Sequence, residues 1–373
     1  MLYSQVIELN GYVKEMPSFY FMQNEIPLSA TETMRQTWYN LIHNRLNFKI
    51  NAAENLTFNV GMRNRFLSGD FIRKIPQYAD VLEVDNGLVS LSRNIFNKDG
   101  SLLNTSFDRI YIDYSLDNMQ IKLGRQRINW GIGLIWNPND IFNAFSYIDF
   151  DYEERPGSDA VSVTWYRSAT SSLDIAIKAD RNPIDSSYQY TAAARYFFNV
   201  ENYDFQFIAG KNNNDLVGGF GWSGAIKNVS FRGEMSVFVP VRERNIDDRT
   251  ALVATVEADY TFDNQLYLHG ATLFNSNGKM NVAEGMNLFA TQNDLSAKKL
   301  SYGKFEIFGQ AAYPVSPIFN VGMAAMLNPV DLSSYLSPNF TLSLADNLEM
   351  MLNAQLLLGK QGAEYAAIGN IYA

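Results

Sequence analysis

The sequence predicts an all-β fold, a transmembrane antiparallel β-barrel of about 18 strands (16–18) forming a single domain over residues 1–373. Three observations predict it. Short stretches alternate apolar and polar side chains, which gives each strand one greasy and one wet face. The connections alternate between tight turns and longer polar loops, as expected of a barrel with short periplasmic turns and long extracellular loops. Aromatic residues reach 14%, with 21 Tyr and 25 Phe, and such side chains sit well at a membrane–water boundary.

Composition narrows the alternatives. Hydrophobic residues make up 47% and charged ones 18%, yet mean hydropathy is only -0.17. No run approaches the ~20 apolar residues of a spanning helix, so a membrane protein of this composition must cross with strands. A net charge of -9 and a pI near 4.9 argue against nucleic acid, whose phosphates want a basic face. Cysteine is absent, in keeping with an oxidising compartment crossed without disulfide staples. The start, MLYSQ, has no basic region followed by an apolar core. The expectation is a processed or truncated start, the protein being exported with a signal peptide not present in this chain.

Val6 to Met16 is the first expected strand, followed by a connection over 17–33. In the second, Trp38, Ile42, Leu46, Phe48 and Ile50 share one face, with His43, Arg45, Asn47 and Lys49 on the other. In the third, Leu56, Phe58, Val60, Met62 and Phe66 oppose Thr57, Asn59, Arg63 and Arg65. A connection over 69–104 contains Asp85-Asn86-Gly87, a hairpin signal, and a small hairpin outside the barrel is expected there. Ile110, Ile112, Tyr114 and Leu116 then face outward against Arg109, Tyr111, Asp113 and Ser115, and Met119, Ile121 and Leu123 follow against Gln120, Lys122 and Gln126.

After residue 158 the rhythm is regular. Strands are expected at 159–167, 172–180, 188–198, 203–211, 216–226, 229–239, 250–262, 265–275, 303–313, 318–328, 335–345, 348–358 and from about Glu364 to the end. Every second connection is short. The longer set is 17–33, 69–104, 130–158, 181–187, 212–215, 240–249, 276–301, 329–334 and 359–363. Pro338 interrupts one strand, because proline cannot donate to a ladder, and a bulge or a strand that starts later is expected to absorb it.

The connection 130–158 stands apart, being rich in aromatics and carboxylates, and it is expected to fold into or against the lumen. The wall before it collects inward Arg45, Lys49, Arg63, Arg65, Arg109 and Lys122, joined at the strand end by Arg125 and Arg127. The loop carries Asp149, Asp151, Glu153 and Glu154. Loop acids facing wall bases would make a gap with a transverse field that selects ions and polar solutes. Equally, the same charges would pin the loop by salt bridges. Later strands add inward Asp174, Glu234, Glu257, Asp259 and Glu306 against Lys178, Arg195 and Arg232, which reads as a hydrated wall of mixed sign.

Trp130, Trp136, Phe142, Phe145 and Tyr147 fit either a sugar-stacking rail or plain packing against the wall. Asn137-Pro138-Asn139-Asp140 fits a turn or the cap of a short helix. Enzyme chemistry has no foothold: the two histidines, His43 and His269, lie on inward strand faces without a nucleophile motif. Asp180, Asn182 and Asp185, or Asp247 and Asp248, lack the spacing of a calcium loop and read as solvated loop acids. No cofactor or metal is expected.

Gly124-Arg125-Gln126 with Trp130-Gly131, then Trp136, Pro138, Asp140 and Phe142, then Arg155, Gly157, Asp159, Ala160 and Val161, resemble in this order a motif of bacterial outer-membrane barrels of the porin-like and alginate-export-like kind. The resemblance implies an outer-membrane location in a Gram-negative-type bacterium. It implies a porin-like channel for passive diffusion of small polar or charged solutes, in contact with outer-membrane lipid and lipopolysaccharide. The alternative is a non-conducting barrel, a subunit or docking platform of a larger outer-membrane complex, whose loops at 69–104 and 276–301 meet other outer-membrane proteins or lipoproteins.

Overall fold

A computed structural model describes residues 6–27, 33–144, 147–148, 155–182, 187–242, 249–279, 296–360, 362–365 and 370–372. The strands are β1 (Val6–Pro27), β2 (Thr33–Ala53), β3 (Leu56–Ser68), β4 (Ser92–Lys98), β5 (Ser101–Leu116), β6 (Met119–Gln126), β7 (Ser158–Ser168), β8 (Ser171–Arg181), β9 (Tyr188–Val200) and β10 (Tyr203–Asn212). They continue with β11 (Asp215–Ile226), β12 (Val229–Pro240), β13 (Ala251–Thr261), β14 (Tyr267–Asn275), β15 (Phe305–Ser316), β16 (Phe319–Leu327), β17 (Ser334–Ala345), β18 (Leu348–Leu358) and β19 (Asn370–Tyr372). Two short helices, α1 (Asp70–Lys74) and α2 (Tyr78–Glu83), precede β4.

Among the described residues, all nineteen strands lie in one antiparallel sheet. β4 pairs only with the first half of β5, which leaves 18 strands in the wall, each paired with its neighbours in sequence. β19 pairs with β1 at Phe19 to Phe21 and with β18 at Ala354 and Gln355, so the succession of ladders returns to β1 through a short junction.

Alternation decides which face goes where. Phe58, Ile110, Ile112, Leu123, Ile175, Phe207 and Val256 are exposed, while Arg45, Arg63, Asp174, Gln206, Glu234 and Glu257 on intervening positions are buried. Val60 and Val237 sit two residues from Phe58 and from Met235, on the same exposed apolar face. An apolar face turned outward along strands of mostly 9 to 13 residues matches the hydrocarbon thickness that a tilted strand crosses. Near the short turns this face carries rings: Tyr196, Phe198, Phe205, Phe220, Trp222 and Phe231 run as one chain of neighbouring rings across β9 to β12. Tyr260 and Phe262 continue the girdle beside the next short turn.

Several boundaries differ from the sequence reading. β1 does not end at Met16 but continues through Pro17, with Ser18 and Met22 buried and Phe19 and Phe21 exposed, so alternation survives the proline. Asp85-Asn86-Gly87 is not the hairpin turn. The Asp85 carboxylate instead accepts the amides of Gly87 and Leu91, while the hairpin forms between β4 and β5 at Asp99 and Gly100, whose φ angles of 53° and 75° suit a tight two-residue turn. The connection between β10 and β11, expected among the longer ones, is a turn at Asn213-Asn214. Pro338 pairs with Met323 of β16, and the ladder to β18 is interrupted at 337–338, which accommodates the missing donor. Glu364 and Tyr365 do not begin the last strand but are buried side chains of the connection before it.

Two apolar clusters form. One joins Met22, Met34, Leu41, Leu67 and Leu102, where β1, β2, β3 and β5 extend upward, to Phe71, Ile72, Ile75 and Ala79 of the helical excursion. The other gathers Ile128, Trp130, Ile135, Trp136, Ile141 and Phe142 of the β6–β7 connection against Ile208, Val217, Val253, Leu273, Phe308 and Tyr335 of the wall. Burying a Phe or Ile side chain is worth ~1.5–3 kcal/mol, so the second cluster is a strong attachment for a loop.

Candidate functional site

The chain leaves β6 at Gly124, where φ is +119° and a Cβ would stand 2.3 Å from the Ile110 carbonyl oxygen; only glycine permits this approach. Arg125 follows and sits opposite Asp159 in the β6–β7 ladder. Its Nε donates to Asp159 Oδ1 at 2.7 Å, Nη2 to Asp159 Oδ2 at 2.9 Å and Nη1 to Asp85 Oδ2 at 2.6 Å. The arginine thereby ties both ends of the connection to the helical excursion. Gln126 closes the strand end, donating to the carbonyls of Lys122 and Ala160 and accepting from Ser162 Oγ.

From Ile128 the backbone turns onto the polar face of the wall. Two glutamates take its amides. Glu234 of β12 accepts from Ile132, from Gly133 at 2.7 Å and from Asn139 at 2.9 Å. Glu257 of β13 accepts from Leu134 at 2.8 Å and Ile135 at 3.2 Å, with His269 Nε2 3.4 Å from its other side. Both carboxylates are 1% exposed. A buried hydrogen bond is worth ~0.5–1.5 kcal/mol net, and leaving either group unpaired costs more, so five of them make a clasp.

Further along, Asn139 fits against β11, its Nδ2 donating to the Phe220 carbonyl at 3.0 Å and its Oδ1 accepting from Ser236 Oγ at 2.7 Å. Gly219 leaves the space: a Cβ there would stand 2.7 Å from Asn139 Oδ1. Asn212 of β10 donates to the Ile141 carbonyl, Lys178 of β8 to that of Phe142 and Gln355 of β18 to that of Ile148. A segment bonded to β8, β10 to β13 and β18 lies on the face these strands share, which is the inner one.

Asn137 to Asp140 form a turn rather than a helix cap, with the Asp140 amide donating to the Asn137 carbonyl at 3.1 Å. The Asp140 carboxyl is fully buried among the charged Arg127, Arg155 and Lys178. Burial pushes its pKa up to about 7, against the pull of Arg127, the Trp130 amide, Arg155 and Lys178. Burial and the neighbouring Arg127 lower Arg155 to about 10. The rings are used for packing: Trp130 meets Phe142 edge-on at 4.9 Å, and Tyr147 meets Phe308 at 5.0 Å. Trp130 and Trp136 are 3% and 5% exposed, so neither offers a face for a sugar.

The wall bases are committed to nearby acceptors. Arg45 is buried in a two-pronged pair with Asp108, at 2.7 and 3.0 Å. Arg63 donates to His43 Nε2, and Arg65 to Asn104 Oδ1 at 2.8 Å. Arg109 reaches the carbonyls of Asp108 and Arg155, Lys122 lies 3.8 Å from Asp113 and exposed Lys49 3.4 Å from Glu8. On the later strands Arg195 pairs with Asp174 and Arg232 with Asp259. Asp180, considered above as a loop acid, pairs with Lys178. Asp149, Asp151, Glu153 and Glu154, like Phe145, Asp185, Asp247 and Asp248, lie outside the described residues.

Between the clasped segment and β6 to β9 remains a cleft of about 140 Å³, open to solvent. Lys122, Gln126, Arg127, Trp130, Asp174 and Arg195 contribute to its lining. Sequence reasoning placed Glu234 and Glu257 on the inner face but missed their partners. The available signal was the run Asn129 to Gly133, with two glycines and no charge, which needs acceptors from elsewhere once it is buried.

No family model matches the chain, and no curated protein matches it in sequence. Among solved structures it is similar to OccK9 (OpdG) of Pseudomonas aeruginosa, with TM-score 0.56 and 11% identity over 98% of this chain and 95% of that one. It is similar to OpdQ of Pseudomonas aeruginosa, with TM-score 0.57 and 9% identity over 98% and 96% of the two chains. A third likeness, to OccAB4 of Acinetobacter baumannii, has TM-score 0.56 and 7% identity over 99% and 96%. These neighbours are outer-membrane porins of the Occ/OprD family, and the likeness establishes for this chain the fold of a porin-like β-barrel.

Proposed function

We propose that this protein is a porin-like channel of a Gram-negative-type outer membrane, passing small polar or charged solutes by passive diffusion. The observation that carries this reading is the clasped β6–β7 segment, which crosses a polar interior yet leaves a solvent-open cleft on its β6–β9 side. The segment over 130–158 is its constriction, and the wall belongs to the same single domain. Arg45, Lys49, Arg63, Arg65, Arg109, Lys122, Arg125 and Arg127 serve this channel differently. Lys122 and Arg127 line the cleft, while Arg45 and Arg125 are structural ties.

Cleft charge supports a preference. Three basic side chains, Lys122, Arg127 and Arg195, line it against the one acid Asp174, so anions are favoured there. The motif likeness to porin-like and alginate-export-like barrels fits this reading, because its residues Gln126, Trp130, Asp140, Phe142 and Asp159 build the segment and its anchors. Outer-membrane lipid and lipopolysaccharide surround the apolar band and the ring girdle.

The test is purified protein in planar bilayers under a salt gradient. Steady ohmic steps with a reversal potential displaced toward anions, and moved toward cations by R127E, support the reading. Silence, with another outer-membrane protein co-purifying, would favour a docking platform instead.

A further inference from the structure

Three connections of the long-loop rim meet in one buried knot. Ser301 to Gly303 precede β15, Asn328 to Ser333 join β16 to β17, and Ala363 to Tyr365 belong to the β18–β19 connection. At the centre are Glu306, near the start of β15, and Glu364, 1% and 3% exposed. Glu364 is well supplied with donors: the Tyr302 amide at 3.0 Å on Oε1 and Asn328 Nδ2 at 2.9 Å on Oε2. Glu306 Oε2 accepts from the Tyr365 hydroxyl at 2.9 Å.

Between the two carboxyls stands Ser301 Oγ, 3.1 Å from Glu306 Oε1 and 2.8 Å from Glu364 Oε1. It also accepts the Gly303 amide at 3.0 Å. A serine hydroxyl has one proton and two acceptor positions. It donates to one glutamate only, and its contact with the other is a hydrogen bond only if that glutamate brings a proton. Glu364 already receives two other donors and takes the serine proton as a third. Glu306 then donates from Oε1, and both acceptor positions of the serine are filled.

Charge requires the same assignment. Among the described residues neither glutamate enters an ion pair, and the other titratable groups facing the knot are Asp331, whose Oδ2 accepts the Glu364 amide, and Tyr365. Two ionised carboxylates side by side in a buried site without a cation are strongly disfavoured. Burial beside these acids holds Tyr365 well above the usual phenol range, so it remains a donor.

We propose that Glu306 is a buried un-ionised carboxylic acid whose proton, relayed through Ser301 to Glu364, pins three long-rim connections together at the mouth of the barrel. Removing that proton turns a continuous donor chain into two adjacent anions. The knot then opens and frees the connections above β15 to β18.

Infrared spectroscopy of the folded barrel in detergent tests the proton directly and does not depend on the channel reading. Wild type is expected to show, at neutral pH, a carboxylic-acid C=O absorption that E306Q lacks, since the amide keeps a donor toward Ser301 but cannot ionise. E364Q, by removing the neighbouring anion, should shift loss of that absorption to lower pH. Equal acid absorption in wild type and E306Q overturns the proposal; should E306Q not fold, an unchanged titration in E364Q overturns it. In bilayers, an arm that rests on the channel reading, alkaline pH should make wild-type current flicker or step upward while E306Q stays quiet. Flicker at the same pH in both proteins counts against the pin. A difference in acid absorption with no current from either protein supports the pin and counts against the channel.

Discussion

Five backbone amides of the β6–β7 segment end on two glutamate side chains, and this sets its energetics at the residue scale. Replacing Glu234 by Gln weakens three of these bonds and turns an amide donor toward donors. The expected loosening is on the order of 2–4 kcal/mol, read as faster hydrogen exchange over residues 131–140 with the wall unaffected. Asp140 adds a pH dependence. Its pKa rises on docking from the usual 3.8 to about 7, so the docked segment binds a proton that the free one does not. The stability it contributes is fully present below 3.8 and is lost as pH rises through about 7. Protection of the segment, corrected for intrinsic exchange, should therefore fall between about pH 4 and 7, and D140N should abolish the fall. In the wall, R45A strips the buried Asp108 of its two-pronged partner and leaves it Arg109 at 3.9 Å, which should cost about 3 kcal/mol in the heat or urea step of the folded band on gels. D108N added to R45A should recover part of it.

Which residues face inward was legible in the sequence, because alternation assigns a face from spacing alone. What they bind was not. Arg45, Arg63 and Arg125 read as pore cations, yet their partners Asp108, His43 and Asp159 lie one or two strands away in the wall, in a register set only by folding. Glu234 read as hydrated wall because the amides it receives come from residues about a hundred positions earlier.

At the scale of elements, strands and turns were the readable part. Period-two patterns from β5 to β18 are strong, and turns such as Glu201-Asn202, with φ of 50° and 66°, are local enough to specify themselves. Errors arose where a local signal met a stronger distant one. Pro17 looks like a terminator, but β2 pairs with the strand without a break from Val6 to Phe21, across the proline. Asp85-Asn86-Gly87 looks like a turn, but Arg125 recruits Asp85 into an ion pair. The hairpin that does form depends on Gly100, where φ is 75° and a Cβ would press Arg73 and the Gly69 carbonyl at 3.2 Å. G100A should destabilise it by roughly 1 kcal/mol or more, read as faster limited proteolysis after Lys98 with the barrel's mobility on gels unchanged.

The whole molecule combines two demands. Hydrocarbon requires that backbone groups be paired and the outer face be apolar, and the antiparallel circuit with its exposed Phe58, Ile112, Ile177 and Val256 meets both. The interior is polar and would hold a wide water column if empty. In the proposed channel the segment narrows it to a cleft, and the clasp, rather than the wall, sets the width. This is why substitutions at Glu234 and Glu257, far from the bases lining the cleft, should alter permeation without altering the fold.

The central claim, that a clasped segment limits passage through the barrel, is tested most directly by single-channel conductance of E234Q/E257Q beside wild type, both shown folded by heat-dependent gel mobility. The account predicts ohmic steps for both and a conductance about twofold or more larger in the double variant, since local opening by several kcal/mol vacates the lumen. Equal conductance in the two proteins, or no current from either, would contradict it.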